Sequence, residues 1–322
     1  MERVTRSEFL KLAALAGGGA ALLAACGGGG NKAGSSDLGD GGTALPARSP
    51  ARSPSAAAGV LAVATGPAAA ANAERAVAAV GGMRAFVKRG DIVVVKPNIC
   101  TARTPEYATT TDPDVVATLV RLAREAGADE VLVMDNPISS EATSAYETSG
   151  IAGAVTAAGG SMHVMSDAGY RSYSAPGHLL GRHPLYAAVV DADVVISAPI
   201  LKQHGSAGLT LAGKNLMGVT NDRGRMHTLG LSQCIAELAA SLRPDLAVVD
   251  ATRVLVRNGP TGGDLNDVVV KDTVIACADW VAADTYAAGL FGTTPASVPY
   301  IKAAADMGLG TTDLASVEIR SI

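Results

Sequence analysis

The sequence predicts an α/β fold with a mainly parallel, Rossmann-like sheet flanked by helices, and three observations carry that prediction. Short apolar runs recur along residues 59–322, the runs are continuous rather than alternating, and segments of helical periodicity lie between them. A strand covered by helices on both faces is apolar on both faces, so it reads as an unbroken apolar run. Such strands alternating with helices form a sheet whose connections cross over it.

The elements follow in chain order. Val60-Leu61-Ala62-Val63 and Ile92-Val93-Val94-Val95 are the first two strands. Asp112 then supplies an N-cap carboxylate for free helical N–H groups, and Pro113 fits the first helical position. Val116, Leu119, Val120 and Ala123 share one face of that helix, and Gly127 is its C-terminal cap. Val131-Leu132-Val133-Met134, Val194-Val195-Ile196, Leu246-Ala247-Val248-Val249 and Thr273-Val274-Ile275-Ala276 are the later strands. Leu231 to Leu242 and Trp280 to Leu290 read as helices, the second opened by Asp279 as its cap.

The N-terminal segment has a different character. Arg3, Arg6 and Lys11 form a positive region, and Leu12 to Ala25 is apolar but shorter than the roughly 20 residues that span a bilayer. Leu23-Ala24-Ala25-Cys26 looks like the lipobox of bacterial lipoproteins. The expectation is a signal peptide over residues 1–25, a lipid on Cys26, and an extracytoplasmic protein anchored at the membrane, in the periplasm or at the cell surface. Arg6-Ser7-Glu8-Phe9-Leu10-Lys11 also resembles a twin-arginine signal, with Ser7 where the second arginine belongs. Residues 26–58 are rich in Gly, Ala, Ser and Pro, a composition that buries too little apolar surface to fold and acts as a flexible tether. Residues 59–322 are then a single α/β domain.

Composition narrows the function classes. A formal net charge of −4 gives no basic field for nucleic acid, and 3% aromatic residues give no stacking surface for bases or sugars. Besides Cys26 there are Cys100, Cys234 and Cys277, none in Cys-x-x-Cys spacing, so neither an iron–sulfur cluster nor structural zinc is indicated. Cys277 reads as a small core residue, and a Cys100–Cys234 disulfide is open to an exported chain.

The strand ends carry the chemistry. They deliver Lys96-Pro97-Asn98, Asp135-Asn136-Pro137, Lys202 with His204, and Asp250 followed by Arg253, Arg257 and Asn258-Gly259-Pro260. In open α/β sheets, ligands bind in the crevice outside the carboxyl ends of the strands. Lys96 and Lys214 can hold an anion, while Asn98, Asn215 and Asn258 each offer a donor and an acceptor to orient it. His204, Lys202 and Asp250 are the candidate catalytic groups, with His204 exchanging a proton. The competing structural role is pairing with Asp135, Asp250 or Asp279. His227 is as well suited to the surface or to a helix cap as to acid–base work, and His163, His178 and His183 read as loop or surface residues. His204, His227 and Asp250 lack diagnostic ligand spacing, so no metal site is assigned. Gly208-x-x-x-x-Gly213-Lys214 has the frame of a phosphate loop, but Asn215 replaces the hydroxyl residue that binds magnesium. Asp284 is a better site candidate than the capping Asp279.

Lys96-Pro97-Asn98, Pro199-x-x-Lys202-x-His204, Gly213-Lys214-Asn215-Leu216-x-Gly218 and Asn258-Gly259-Pro260-x-Gly262 together resemble the bacterial and archaeal domain-of-unknown-function family 362. Ala278-Asp279-x-Val281-Ala282-Ala283-Asp284 matches its pattern too, and the resemblance runs from about residue 60 to 320 in order. Some relatives carry ferredoxin-like cysteine motifs, which implies redox work as an oxidoreductase in the family. This chain lacks those motifs, so a bound cluster is not carried over, and no other cofactor or protein partner is specified. The expected function is binding of an anionic small molecule, with chemistry upon it, at the Lys/His/Asn site on the carboxyl edge of the sheet. The alternative is a non-catalytic binding or electron-transfer accessory at the membrane surface.

Overall fold

Which residues form strands, and which faces they bury, decides where the carboxyl edge of the sheet lies. The computed structural model describes residues 45–46, 59–138 and 142–322. The predicted leader, Cys26 and all of the tether except Leu45–Pro46 lie outside the described residues. The strands are β1 (Leu45–Pro46), β2 (Val60–Thr65), β3 (Ile92–Pro97), β4 (Glu130–Val133), β5 (Ser161–Met162), β6 (Tyr170–Ser174), β7 (Arg182–Tyr186), β8 (Val194–Ala198), β9 (Ile200–His204), β10 (Gly208–Thr210), β11 (Leu246–Leu255), β12 (Val268–Cys277) and β13 (Glu318–Ser321). The α-helices are α1 (Ala69–Ala79), α2 (Pro113–Ala126), α3 (Ala142–Thr148), α4 (Ile151–Ala157), α5 (Ala187–Asp191), α6 (Ala212–Asn215), α7 (Arg223–Leu229), α8 (Leu231–Leu242), α9 (Trp280–Phe291) and α10 (Pro299–Asp306).

The main sheet runs in the order β13-β2-β12-β11-β8-β3-β4-β5, with β9 branching from β11 and pairing with β10. Neighbours from β11 through β8, β3 and β4 to β5 are parallel, as are β13 and β2. The continuous apolar runs have the predicted cause. Val93 and Val95 enter one core with α1, α2 and α4, whereas Ile92 and Val94 enter the other with α8, α9 and α10. Successive side chains of a strand point to opposite faces, so a sheet with two cores needs apolar residues at every position. The predicted helix caps form as well: the Asp112 carboxylate accepts from Asp114 N at 2.9 Å, and Gly127 ends α2 at φ 112°.

One part of the sheet departs from the expectation. Thr273 to Ala276 is the end of β12, which runs antiparallel to both β2 and β11. The cause is the connection: β11 and β12 form a long hairpin, and a chain that returns without a crossover helix must return antiparallel. Because β11 continues to Leu255, Asp250 and Arg253 lie inside it rather than beyond its end. A second, three-stranded sheet has the order β1-β6-β7. In it Leu45–Pro46, from the segment read as a tether, pairs with Tyr173 and Ser174. His183, expected at the surface, is 1% exposed on β7, and His163 bonds to the Tyr186 hydroxyl at 2.8 Å. Both rings pack where the apolar residues of this small sheet close over them. Among the described residues no helix is long and apolar enough to cross a membrane.

The short helix α6 carries Lys214 and Asn215 and is set by α9. Asp284 is fully buried, and its two oxygens accept the N–H groups of Ala212 at 2.7 Å and Gly213 at 3.0 Å. Burial raises its carboxyl to about 8, against those two bonds, which favour the charged form. A Cβ on Gly213 would stand 2.6 Å from the Trp280 ring, so only glycine lets α6 approach α9 this closely. Asp284→Ala leaves two buried N–H groups unpaired, at about 1–3 kcal/mol each. We expect that variant to be about 2–4 kcal/mol less stable in urea unfolding and to exchange the Gly213 amide faster. Unchanged stability and exchange would show that α6 is held by packing alone.

Candidate functional site

At the carboxyl edge, β3, the residue that follows it and β8 are tied by one amide. Asn215 Oδ1 accepts from Lys96 Nζ at 2.6 Å and from Asn98 Nδ2 at 2.9 Å, while its Nδ2 donates to Lys96 O at 2.6 Å and Ser197 Oγ at 3.1 Å. All the bonding capacity of that side chain is used. Asn98 Oδ1 in turn accepts from Ile200 N at 3.0 Å, and Asn98 N donates to Thr111 Oγ1 at 2.9 Å. Lys96 is 0% exposed and pairs with Asp135 Oδ1 at 2.7 Å. Burial lowers its pKa, and the Asp135 charge opposes that shift. Asp135 Oδ2 also accepts from Ile99 N at 2.6 Å. A Cβ on Gly218 would lie 1.9 Å from Asp135 Oδ1 and 2.7 Å from Lys96 Nζ, which explains the glycine two residues after Leu216.

A half-open cleft lies over this network, and its lining includes Lys96, Asn98, Asp135, Lys202, His204, Lys214, Asn215 and Arg223. Among the described residues that line it, Lys96, Lys202, Lys214 and Arg223 are cationic, and Asp135 supplies the one carboxylate. Lys202 Nζ donates to the carbonyls of Thr109 at 2.6 Å and Pro260 at 3.1 Å. Arg223 donates to the carbonyls of Asn136 at 2.9 Å and Pro137 at 3.3 Å. These contacts orient the cations without neutralising them. Lys214 has no hydrogen-bond or ion-pair partner among the described residues. Burial first, and then the charges of Lys202, Arg223 and Lys96, bring its ammonium down to about 8. His204 is pushed to about 3 by burial and by Lys214, Lys202 and His227, so its ring is neutral near pH 7. Its Nδ1 accepts from Ser206 N at 3.3 Å.

The structure therefore brings Lys96, Asn98, Lys202, His204, Lys214 and Asn215 to one cleft, and it leaves two candidates outside. Asp250 is 0% exposed and does not line the cleft. Its oxygens accept from Asp112 N at 2.7 Å, Thr252 N at 2.9 Å and Thr252 Oγ1 at 2.7 Å. Burial and the nearby Asp112 raise it to about 6. Its position inside β11 points it at the start of α2, where it ties strand to helix. Asn258 donates to Asp267 Oδ2 at 2.6 Å and holds the β11–β12 connection, so that loop reaches the cleft through Pro260 instead. His227 is exposed and outside the lining, and no group of three or more His, Cys, Asp or Glu able to hold a metal occurs among the described residues. Cys100 and Cys234 are free thiols, Cys100 at the cleft and Cys234 in the core on α8, so the disulfide does not form. Asp284 positions the site from behind. It occupies the N–H groups that a phosphate would need, which removes the phosphate-loop reading of Gly208 to Lys214.

Thr210 and Arg223 line the cleft and were not singled out from the sequence. Thr210 sits in the short hairpin strand β10 opposite Lys202, a register that only the β9–β10 pairing creates. Arg223 opens α7 in the polar stretch that also carries His227, and its direction comes from the Asn136 and Pro137 carbonyls.

Comparison with known proteins agrees with the motif reading. A thylakoid-associated protein of Synechocystis sp., sll1697, is 30% identical over 242 residues, which covers 72% of this chain and 73% of that protein. The lactate racemase apoprotein of Thermoanaerobacterium thermosaccharolyticum aligns at TM-score 0.44 and 12% identity, over 70% of this chain and 55% of that one. The model of a domain of unknown function, DUF362, matches residues 93–289, a span that takes in every cleft residue named above. The chain belongs to the DUF362 family.

Proposed function

We propose that the cleft binds a small anionic molecule and that the protein works at a membrane surface, anchored by a lipid on Cys26. The observation that carries the binding reading is Lys214, an ammonium with no acidic partner among the described residues, in a cleft with Lys202 and Arg223. Gathering like charges in a low-dielectric cleft is unfavourable unless a ligand of opposite charge relieves it. Lys96 does not share this role, since Asp135 already balances it. Lys202 and Arg223 hold the anion by charge, and the neutral His204 ring supplies a hydrogen bond or a proton route without adding repulsion.

The lipid anchor rests on Leu23-Ala24-Ala25-Cys26 and on the Gly/Ala/Ser/Pro-rich stretch between Cys26 and the domain. A relative named for its association with thylakoids agrees with work beside a membrane.

Two measurements test these readings. For inorganic phosphate or pyruvate titrated calorimetrically near pH 7, Lys214→Met loses a charge-assisted bond of about 1.5–3 kcal/mol, roughly a 10- to 150-fold weaker Kd. Affinity of the wild type falls as pH rises through about 8, because Lys214 loses its proton there, and Lys214→Arg flattens that fall. Wild-type affinity independent of both Lys214 and pH would remove the proposal. In a bacterial host fed a labelled fatty acid, the wild type should carry the label and sediment with membranes, while Cys26→Ser should be unlabelled and soluble. Labelled Cys26→Ser, or an unlabelled wild type, would overturn the anchor.

A further inference from the structure

The cleft contains chemistry that anion binding alone does not use. Its three lysines differ in what they have left to offer. Lys96 is committed to Asp135 and Asn215, and Lys202 gives two of its protons to the Thr109 and Pro260 carbonyls. The Lys214 amine makes no such bond among the described residues, and its surroundings are cationic. A desolvated lysine beside other cations is driven toward the free amine, whose lone pair attacks carbonyl carbon. Two further groups stand ready in the same cleft. The His204 Nδ1 accepts the Ser206 N–H, which puts the proton of the neutral ring on Nε2. Thr210 is 3% exposed and lines the cleft, yet its Oγ1 has no hydrogen-bond partner among the described residues. Buried hydroxyls are nearly always satisfied, so this one is an exception in the wall of the cleft.

We infer that Lys214 is a nucleophilic lysine that condenses with the carbonyl of a small 2-oxo carboxylate whose carboxylate Lys202 and Arg223 hold. This deepens the anion-binding reading and rests on it. The Lys214 Nζ lone pair attacks the ketone carbon, a C–N bond forms, and the C=O π pair moves to oxygen. His204 Nε2–H protonates that oxygen, and the ring recovers its proton from the attacking nitrogen, giving a carbinolamine. The hydroxyl then leaves as water with the proton that remained on the nitrogen, relayed through the ring, and a C=N bond replaces C–OH. The sum is amine plus ketone giving imine plus water, with no oxidant or reductant required. Glyoxylate and pyruvate are the simplest acids that carry both the carbonyl and the carboxylate.

The test is reductive trapping. The purified protein is incubated with pyruvate or glyoxylate and treated with borohydride, then examined by intact mass and peptide mapping. One reduced adduct per chain, located on Lys214 and suppressed by excess phosphate, is the expected result. Lys214→Arg should still bind pyruvate by calorimetry, with an unchanged circular dichroism spectrum, but form no adduct. His204→Ala should form the adduct at least about tenfold more slowly, as the loss of an acid–base group predicts. Pyruvate binding without an adduct, or adducts spread over exposed lysines such as Lys88 and Lys302, would overturn the inference while leaving anion binding intact. Failure of the wild type to bind either pyruvate or phosphate would overturn both.

Discussion

A lysine ammonium with no access to water is the constraint around which this carboxyl edge is organised. Lys96 leaves the end of β3 into the interior at 0% exposure, and each of its bonds has to be supplied by the protein. Asp135 supplies the opposite charge, Asn215 and Pro97 supply acceptors, and Gly218 is the residue small enough to let the pair close. Removing one member of such a buried pair leaves an uncompensated charge, commonly at about 3–5 kcal/mol. That cost ties three separate segments to one geometry. Segments far apart in the chain meet here because the ion is buried.

The same network separates scaffold from site. Asn215 spends all its bonding capacity on Lys96, Asn98 and Ser197, and Asp284 spends both oxygens on the first N–H groups of α6. Held from both sides, α6 is a single turn that would not be stable alone, since an isolated turn fixes several dihedrals for one hydrogen bond. The residue between these anchors is Lys214, and nothing among the described residues neutralises it. The arrangement puts rigidity in Asn98 and Asn215 and leaves Lys214 uncommitted, in a cleft that Lys202, His204, Arg223 and Thr210 also line. The cleft then has a polar floor with its hydrogen bonds satisfied and a cationic wall with charge to spare. This division is what a pre-organised anion site requires, because the groups that hold the geometry are not those that meet the ligand.

Much of the fold was legible because it rests on local rules. The Asp112-Pro113 start and Gly127 stop of α2, and the Asp279 cap of α9, are short-range hydrogen-bond devices readable from residue type. The continuous apolar runs announced two cores, and the structure has them. The antiparallel course of β12 was not legible, since strand direction depends on whether a connection crosses the sheet and not on the residues of the strand. His183 misled for a related reason: a lone histidine beside Arg182 looks exposed, and its burial on β7 depends on packing from elsewhere in the chain.

By itself the sequence picked out the segment Lys202 to Asn215 and Lys96-Pro97-Asn98 as polar residues gathered at strand ends, and the structure places them around one cleft. It also determined the family, through motifs distributed over the whole domain. Only the tertiary structure decided which of those residues face the cleft. Asp250 turned inward because β11 runs on to Leu255, Asn258 turned to Asp267, and Thr210 and Arg223 entered through pairings between distant segments. Residue type says what a side chain can do. The partners that occupy its donors and acceptors decide what it is free to do, and those partners come from elsewhere in the chain.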